Sequence, residues 1–586
     1  MPEVRLGRVF LGWCHNCDVA LLGKNCGICG EKGHMVKITP PGDFRAAFPD
    51  EVRRLERTVG DQFKVPLELA NPIILNKVPD IDRMHEVVCN GRVIGALRYD
   101  IFHEREIFLP RTGFGQLLYD LGTKKYAVAD DGAIEPILNG SNLMAPGIVG
   151  VGDFREGERI LVTDGNGKVI ATGDARIDSR EIPERGEGIR IRNRKKNDEP
   201  EVEKAKRDFG EAQELLLKAN RGHMDGKIKR AIAFINRVID QEKKPVACSL
   251  SGGKDSLATL LLLLDAGIKP VTFFVDTGLE FEETKEEVRK TVKRFDLDFI
   301  EGKPKGDFWN DLRIFGNSSR DYRWCCKTRK LAPMVNLIEE NFPDGVLTFI
   351  GQRSYESSNR AGHGSVWRNP WIKKQIGASP IQNWNSMEVW LYLLSKEVSI
   401  NPLYEMGFER IGCWLCPASD LYDFRLYKHE DYALYFEFLS RYYTDEAMKL
   451  GLWRFKKPPK WAPDIPIRKE ERQDALKDGE ESIRAMEEVE RVKNLACAIG
   501  GIQISDDGPV LVGKDKNDLK KIVLKAKYCA GCGLCESSCP QGAIYIDKTG
   551  MAKIDEGRCT CCSKCLDAPC PAVKYLWGLP VASSHA

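Results

Sequence analysis

The chain has 586 residues, of which 42% are hydrophobic and 30% are charged, and its 88 basic and 86 acidic residues give a net charge of +2. This length exceeds what one hydrophobic core supports, so several domains are expected. The sequence contains no apolar run of the roughly 20 residues that a membrane-spanning helix needs, which excludes a helical membrane protein and a membrane partner. The balanced net charge neither predicts nor excludes binding of nucleic acid, because a local basic surface does not show in a charge summed over the whole chain. The first residues, MPEVRLGRVF, lack the apolar core of a secretory leader, so we expect a cytoplasmic protein.

The 20 cysteines are the most informative residues, because most of them fall in C-x-x-C pairs near the two ends and in the middle. In a long chain without a leader, this pattern favours metal ligation over disulfides. Two such pairs bracket a short hairpin segment over 18–25 and place four thiolates at the corners of a tetrahedron. We therefore expect a zinc ribbon over 1–40 with one structural Zn²⁺, a rubredoxin-like iron site being the alternative. Its ligands would be Cys14, Cys17, Cys26 and Cys29.

Residues 41–119 predict a mixed domain with strand-like alternation, as in EVVCNGRVIGALRYDIF. The following stretch, 120–195, is rich in Gly and Asp and in short strand-like runs. Its segment GSNLMAPGIV over 140–149 resembles the PUA domain, a small β-rich pseudo-barrel found in many RNA-modifying enzymes. The resemblance implies RNA as a partner, and the basic run IRIRNRKK that follows could meet phosphates. A scaffold that joins domains without binding RNA is the alternative.

Residues 225–450 alternate short apolar strands with amphipathic helices, which predicts a doubly wound parallel sheet covered on both faces. Within it, the strand PVACSL leads into SGGKDS and then into an apolar helix. A Gly-Gly turn at this place lets backbone N–H groups close around an anion at the helix N-terminus. The spacing differs from that of a Walker P-loop. The predicted phosphate-binding residues are Ser251, Gly252, Gly253, Lys254, Asp255 and Ser256.

Several motifs over 245–420 resemble the phosphoadenylyl-sulfate and adenylyl-sulfate reductase family of the PP-loop superfamily. They are SGGKDS, the DTG of VTFFVDTGLEFEET, GQRSYESSNR, PIQNWNSMEVWLYL and NPLYEMGFERIGCWLCP. The resemblance implies an adenine nucleotide α-hydrolase-like fold that binds adenylyl sulfate or its 3′-phospho form. It adds Asp276, Thr277, Gly278, Arg353 and Arg360 to the nucleotide-binding residues, the two arginines holding phosphate and sulfate. Pairing of these arginines with surface acidic residues alone is the alternative.

Two cysteine pairs of this domain, Cys325-Cys326 and Cys413-x-x-Cys416, match the 4Fe-4S site of the same family. Two pairs of structural zinc ligands are the alternative. Charge close to this site would stabilise a developing sulfite anion, and the candidate catalytic residues are Lys254, Lys327, Arg329 and Arg353. One feature departs from the family: the tail with a nucleophilic cysteine is missing, and after Cys416 the next cysteine is Cys497. Another cysteine must then act, or electrons must be delivered directly, or the step does not occur.

A charged helical linker is expected over 451–498, followed by a ferredoxin-type α+β module over 499–586. Two C-x-x-C-x-x-C motifs with a fourth, proline-followed cysteine predict two 4Fe-4S clusters with crossed ligation, and the spacing disfavours zinc. One cluster would be held by Cys529, Cys532, Cys535 and Cys570, and the other by Cys559, Cys562, Cys565 and Cys539.

The motifs together predict a multidomain α/β protein of archaeal type with three 4Fe-4S clusters and one Zn²⁺. The first functional hypothesis is reduction of adenylyl sulfate or 3′-phosphoadenylyl sulfate to sulfite, with electrons that enter the ferredoxin-type module from an external low-potential donor. The alternatives are an iron–sulfur-dependent RNA (tRNA) sulfurtransferase, which the PUA-like segment favours, and an electron-transfer subunit of a reductase complex. We further expect a homodimer or a partner subunit.

Overall fold

The computed structural model describes residues 10–182, 186–194, 207–362, 364–469, 490–499, 503–505, 508–512 and 516–577. Residues 470–489 of the predicted helical linker, and the last two residues of the basic run after the PUA-like segment, lie outside the described residues.

The N-terminal segment forms a small antiparallel sheet with strand order β2-β1-β3. Its strands are β1 (Gly12–Cys14), β2 (Val19–Leu21) and β3 (His34–Met35). Trp13 is fully buried, and its indole N–H donates to Asp18 Oδ1 at 2.9 Å. The sheet rests on the long helix Phe209–Glu242, which precedes the central sheet. The Asn220 side chain of that helix accepts from the Leu22 N–H at 2.7 Å and donates to the Ala20 carbonyl at 2.9 Å.

The second domain is a five-stranded antiparallel meander with strand order β4-β5-β6-β7-β8. Its elements are β4 (Asp43–Ala46), α1 (Pro49–Phe63), β5 (Ile74–Lys77), β6 (Met84–Cys89), β7 (Arg92–Asp100), β8 (Arg105–Pro110) and α2 (Thr112–Asp120). Helix α1 buries an apolar stripe at helical spacing, with Val52, Leu55, Val59 and Phe63 facing the sheet.

A six-stranded sheet follows, with strand order β10-β14-β13-β12-β9-β11. Its elements are β9 (Tyr126–Ala129), α3 (Asp131–Asn139), β10 (Leu143–Met144), β11 (Ile148–Val151), β12 (Arg159–Thr163), β13 (Val169–Ala175) and β14 (Glu187–Arg194). Only β9 and β12 pair in parallel. Apolar side chains from both ends of the sheet form one core, as a pseudo-barrel requires.

The central sheet has the order β17-β16-β15-β18-β20-β19. Its strands are β15 (Val246–Ser249), β16 (Val271–Val275), β17 (Phe299–Gly302), β18 (Val346–Ile350), β19 (Val366–Asn369) and β20 (Ile372–Ala378). The runs VTFFV and VLTFI are almost wholly buried, as strands covered on both faces should be. The prediction of a parallel sheet is confirmed for five strands, but β19 is antiparallel to β20. The two residues between them, 370–371, allow only a hairpin.

Helices cover this sheet and extend beyond it. They are α4 (Phe209–Glu242), α5 (Lys254–Asp265), α6 (Glu282–Arg294), α7 (Phe308–Phe315), α8 (Trp324–Cys326), α9 (Ala332–Asn341), α10 (Ser358–Ala361), α11 (Ser386–Ser395), α12 (Asp423–Leu426), α13 (Tyr432–Ser440) and α14 (Asp445–Lys449). The last three form an aromatic-rich cap that shares an apolar cluster with α7 and α8.

The C-terminal module contains two small hairpins and two helices. They are β21 (Gln503–Ser505), β22 (Gly508–Val512), α15 (Lys516–Tyr528), β23 (Ile544–Ile546), β24 (Ala552–Ile554) and α16 (Pro571–Leu576). The fold class predicted from the sequence, a multidomain α/β protein with a ferredoxin-type α+β module, is confirmed.

A buried ion-pair network joins the meander to the central domain. The Arg353 guanidinium, after β18, donates to both oxygens of Asp43 at 2.6 and 3.0 Å and to Asp255 Oδ1 at 2.7 Å. Only 3% of the Arg353 side chain is exposed. A buried cation is tolerated only when it is paired, so Asp43 and Asp255 stabilise the junction together.

We expect Asp43→Asn to destabilise the central domain by about 3 kcal/mol, because it removes one of the two charges that compensate a buried guanidinium. The urea midpoint of its unfolding, followed by tryptophan fluorescence, measures the effect. Asp50→Asn is the matched control, since Asp50 pairs with Arg53 on the surface and such pairs contribute little. Equal midpoints for the two variants would contradict the assignment.

Candidate functional site

The SGGKDS loop connects β15 to α5 at the carboxyl end of the parallel strands, where ligands bind in open α/β sheets. Gly252 has a φ of +70°, and a Cβ there would lie 2.6 Å from the Thr284 side chain, so the turn requires glycine. The Ser256 hydroxyl accepts from the Ser251 N–H at 3.1 Å and donates to the Gly253 carbonyl at 2.8 Å. These bonds hold the loop in a closed form that surrounds the start of the helix.

Lys254 and Asp255 supply the charge of this loop. Lys254 Nζ lies 2.8 Å from Asp255 Oδ2, and the Lys254 backbone N–H donates to the Tyr404 hydroxyl at 2.9 Å. Burial alone would lower the pKa of Lys254, but the Asp255 charge outweighs it and holds that pKa above its ordinary value. Burial would raise the pKa of Asp255, but Arg353 and Lys254 hold it below its usual range. Both side chains are therefore charged near neutral pH.

The two arginines expected to hold anions lie in different surroundings. Arg353 is enclosed by Asp43 and Asp255, as described above. Arg360, on α10, forms an ion pair with Glu356, and 37% of its side chain is exposed. Both arginines pair with acidic residues, but the pairs of Arg353 are largely buried, whereas that of Arg360 is partly open to solvent. Arg353 holds the SGGKDS helix in place, whereas Arg360 can still reach solvent.

The second nucleotide loop, 276–278, follows β16 and lies against the thiol site of the central domain. This site consists of Cys325, Cys326, Cys413 and Cys416. Asp276 Oδ1 accepts from the Gly278 N–H at 3.0 Å, and Gly278 has a φ of +75°. The Thr277 hydroxyl lies 3.7 Å from Cys413 Sγ and donates to Glu280 Oε1 at 3.0 Å. The nucleotide loop and the thiol site are therefore in direct contact.

Cys325 and Cys326 lie on α8, which continues through a π-helical turn, Lys327–Leu331, into α9. Such turns often occur at functional sites. The Arg323 guanidinium donates to Cys326 Sγ at 3.4 Å and, together with a hydrogen bond from Cys325, holds the pKa of Cys326 well below its usual value. Burial raises the pKa of Cys413, and the neighbouring Glu280, Cys416 and Cys326 raise it further. The four thiols thus share one site, as a tetrathiolate group requires.

Arg329 connects the π-helical turn to the second loop. Its Nε donates to the Thr277 carbonyl at 3.1 Å, and its guanidinium also donates to the Gly306 carbonyl. Asp311, on α7, lies beneath it, with Oδ2 4.0 Å from Arg329 Nη1, and is 1% exposed. Burial raises the pKa of Asp311 to about 7. Lys327 projects over the Trp371 ring, with Nζ 4.2 Å from the ring centroid.

The thiols of the C-terminal module form two groups in space. Burial raises the pKa values of Cys529 and Cys532, and the thiol of Cys570, from the other motif, raises both further. The second group lines one cavity and consists of Cys539, Cys559, Cys562 and Cys565. Cys562 and its neighbour Cys561 are exposed. Each group therefore draws one cysteine from the opposite motif.

The N-terminal cysteines form a compact donor set. The Sγ atoms of Cys14, Cys17, Cys26 and Cys29 lie within 4.8 Å of one another, and among the described residues they form the one cluster of this compactness. Four thiolates at this separation can bind a metal ion.

Three residues of the site were not singled out from the sequence. Tyr404 and Glu280 lie within quoted motifs, so their proximity to the loops was within reach of the sequence. Asp43 lies 310 residues before Arg353, and no local pattern marks it.

Three family models match parts of the chain: a phosphoadenosine phosphosulfate reductase domain over 245–419, a PUA domain over 125–196 and a 4Fe-4S binding domain over 522–545. The resemblances to these three families are therefore confirmed, and the third match indicates that the C-terminal module binds 4Fe-4S clusters. Within the described part of the chain, no helix combines the length and apolarity needed to cross a membrane.

Individual proteins match different shares of the chain. An uncharacterised protein of Methanocaldococcus jannaschii is 37% identical over 467 residues, which cover 77% of this chain and 97% of that protein. An adenosine 5′-phosphosulfate reductase of Bacillus cereus is 27% identical over 191 residues, covering 32% of this chain and 80% of that enzyme. The structure of a phosphoadenylyl-sulfate reductase from Candida auris is 20% identical with a TM-score of 0.27, covering 33% of this chain and 96% of that one.

The raised pKa of Asp311 predicts a pH-dependent stability. The folded chain retains a proton on Asp311 up to a pH of about 7, whereas the unfolded chain releases it near its ordinary value. Stability therefore falls as pH rises between those two values, by at most about 1.4 kcal/mol per pH unit. Asp311→Asn, which stays neutral, should raise the melting temperature relative to the unchanged chain at pH 8 more than at pH 5. Calorimetry at both values measures this.

Asp307→Asn serves as the control for that experiment. Asp307 is an exposed N-cap of the same helix, accepting from the Asn310 N–H at 2.8 Å, and asparagine caps helices equally well. A gain for Asp311→Asn that is independent of pH would contradict a buried, titrating carboxyl.

Proposed function

Because this chain belongs to the same family as the M. jannaschii protein and carries a phosphoadenosine phosphosulfate reductase domain, we propose that it reduces adenylyl sulfate or 3′-phosphoadenylyl sulfate to sulfite. The observation that carries the proposal is the 3.7 Å contact between Thr277, in the second nucleotide loop, and Cys413, in the thiol site. A nucleotide bound by these loops would place its far end next to a redox centre.

The reaction breaks the bond between sulfur and the oxygen that bridges it to phosphate. Two electrons pass to sulfur, which leaves as sulfite, and the bridging oxygen leaves with the nucleotide as AMP or 3′,5′-ADP. Clusters bound at the thiol sites would supply those electrons, originally from an external low-potential donor.

The protein's own residues bind and orient the substrate in this proposal. Ser251, Gly252, Gly253 and the Lys254 ammonium surround the phosphate at the start of α5, with Ser256 closing the loop and Asp255 holding Lys254. Asp276, Thr277 and Gly278 form the opposite wall. Arg329 and Lys327 supply positive charge toward the thiol site, where it stabilises the leaving sulfite. Arg353 acts on the loop through Asp255, and Arg360 is available to the substrate's anionic groups.

The grouping of the thiols supports three 4Fe-4S clusters. One would be held by Cys325, Cys326, Cys413 and Cys416, and two by the crossed sets of the C-terminal module. One set includes the exposed Cys562, whereas Cys532 of the other set is packed on the reductase domain. Electrons would enter at the exposed set and pass inward, and no mobile dithiol donor is needed.

RNA sulfuration is the second candidate, and the PUA match over 125–196 is what favours it. In that case the SGGKDS loop would bind ATP instead of a sulfonucleotide. An electron-transfer subunit is a third candidate, in which sulfonucleotides bind without turnover.

Sulfite release tests these candidates. Anaerobically purified chain receives adenylyl sulfate or its 3′-phospho form, with reduced viologen or ferredoxin as donor and no thioredoxin. We expect turnover with one of the two substrates, reduced at least tenfold with ferredoxin by Cys529→Ala, which removes a ligand of the inward set. Cys561→Ala is the matched control, because Cys561 belongs to neither set, and it should retain full activity.

Other outcomes of this assay are equally informative. Binding of both sulfonucleotides without sulfite release would contradict the reductase and favour the electron-transfer subunit. Binding of ATP with no binding of either sulfonucleotide would make RNA sulfuration the leading account.

We also propose that the N-terminal thiols hold one structural Zn²⁺. Cys17→Ser should lower the zinc content from one ion per chain to near zero, measured by mass spectrometry of the metal after exhaustive dialysis. Cys89→Ala, at a buried cysteine outside every proposed ligand set, should retain the ion. A stoichiometric iron that disappears in Cys17→Ser would overturn zinc in favour of a rubredoxin-like site.

A further inference from the structure

The C-terminal module is packed on the reductase domain through an apolar seam. Leu534 of the module is buried in the same cluster as Met334 and Val335 of α9. Ala572 and Leu576 of α16 are buried with aromatic residues of α7 and α8. The backbones also approach closely, because a Cβ at Gly306 would lie 2.5 Å from the Ala530 carbonyl oxygen. Surfaces that fit this closely hold one arrangement.

Helix α16 spans this seam from one thiol site to the other. Cys570 is its N-cap, and the Cys570 carbonyl accepts from the Lys574 N–H at 2.9 Å. Five residues further on, about 7.5 Å along a helix, the Tyr575 hydroxyl donates to the Arg323 carbonyl at 3.2 Å. The Arg323 side chain in turn donates to Cys326 Sγ at 3.4 Å. About one and a half turns of helix, together with Arg323, thus connect Cys570 of the module with Cys326 of the reductase domain.

Two further contacts fix the helix at its far end. The Tyr575 ring packs edge-on against Tyr322, with centroids 5.3 Å apart. Lys574 Nζ lies 4.7 Å from the centroid of the Trp371 ring, which Lys327 also contacts from the reductase domain. Cation–π contacts and a hydrogen bond to a backbone carbonyl restrict both the position and the rotation of the helix.

We propose that α16 is a latch between the two redox sites, and that Tyr575 and Lys574 are positioning residues that set the separation between the Cys570 group and the Cys326 group. The proposal deepens the proposed function, on which its role in electron delivery rests. Neither residue touches a nucleotide or a sulfur atom; each acts by holding the helix. When the latch opens, the module stays attached through the α9 contacts, but the inward thiol set is no longer held at a fixed distance.

Hydrogen exchange of the cluster-loaded chain tests the latch independently of any activity. Tyr575→Phe removes the hydroxyl and keeps the ring, and the double variant Lys574→Ala with Tyr575→Ala removes all three contacts. The backbone amide at position 574 should exchange about three- to tenfold faster in Tyr575→Phe, the range expected for one lost hydrogen bond, and faster still in the double variant. Tyr545→Phe, on an exposed tyrosine of the same module, is the control.

Electron delivery supplies the second measurement. In single-turnover experiments, substrate oxidises the reductase-domain site, and reduced ferredoxin then reduces it again through the module. The rate of this re-reduction should fall about threefold or more in Tyr575→Phe. Its iron content and thermal unfolding should match those of Tyr545→Phe. Unchanged exchange of the backbone amide at position 574 in both latch variants would overturn the proposal. If the chain without substitutions releases no sulfite, but amide exchange at position 574 is faster in the latch variants, the reductase assignment fails and the structural role of α16 stands.

Discussion

The pairing of the Arg353 guanidinium with two carboxylates is the interaction on which the rest of the site depends. Asp255 is the second residue of the helix that follows the nucleotide loop, and Asp43 begins the first strand of the meander. The loop before Arg353 is equally constrained, because a Cβ at Gly351 would lie 2.4 Å from the Asp255 backbone. The nucleotide loop therefore cannot shift without moving a buried charge, which fixes its shape before any ligand arrives.

The same constraint explains why the N-terminal half is part of the active-site scaffold. Further buried charge pairs cross this junction: Arg45 with Glu409, Arg83 with Asp423, and Asp82 with Arg454. Buried pairs of this kind add little net stability compared with apolar packing, but an unmatched partner is costly. Their effect is to admit one orientation of the meander. Because the PUA sheet shares an apolar cluster with the meander, it is held against the reductase domain as well.

Local motifs of the sequence predicted which residues form the site better than they predicted which distant residues hold those residues in place. The Gly-Gly turn, the DTG loop and the paired cysteines are short patterns whose geometry follows from residue type, and the structure brings Thr277 and Cys413 together as their order along a parallel sheet implies. Arg353 was assigned to an anion through the family resemblance, and one of its observed partners, Asp43, lies in another domain. The hairpin of β19 was also missed, since alternating strands and helices predict parallel pairing. Tertiary partners distant in sequence leave no periodic signal.

The apolar seam bears on how electrons would reach the nucleotide site in the proposed function. A mobile thiol is needed when electrons arrive on a carrier that must leave again, whereas a module packed through two apolar clusters keeps its redox groups in place. Tight packing restricts motion, so the separation between the two thiol sites is set by the fold and not by a linker. In the function proposed above, electrons would reach the sulfonucleotide from this fixed neighbour, so that a covalent step on a mobile cysteine would not be needed.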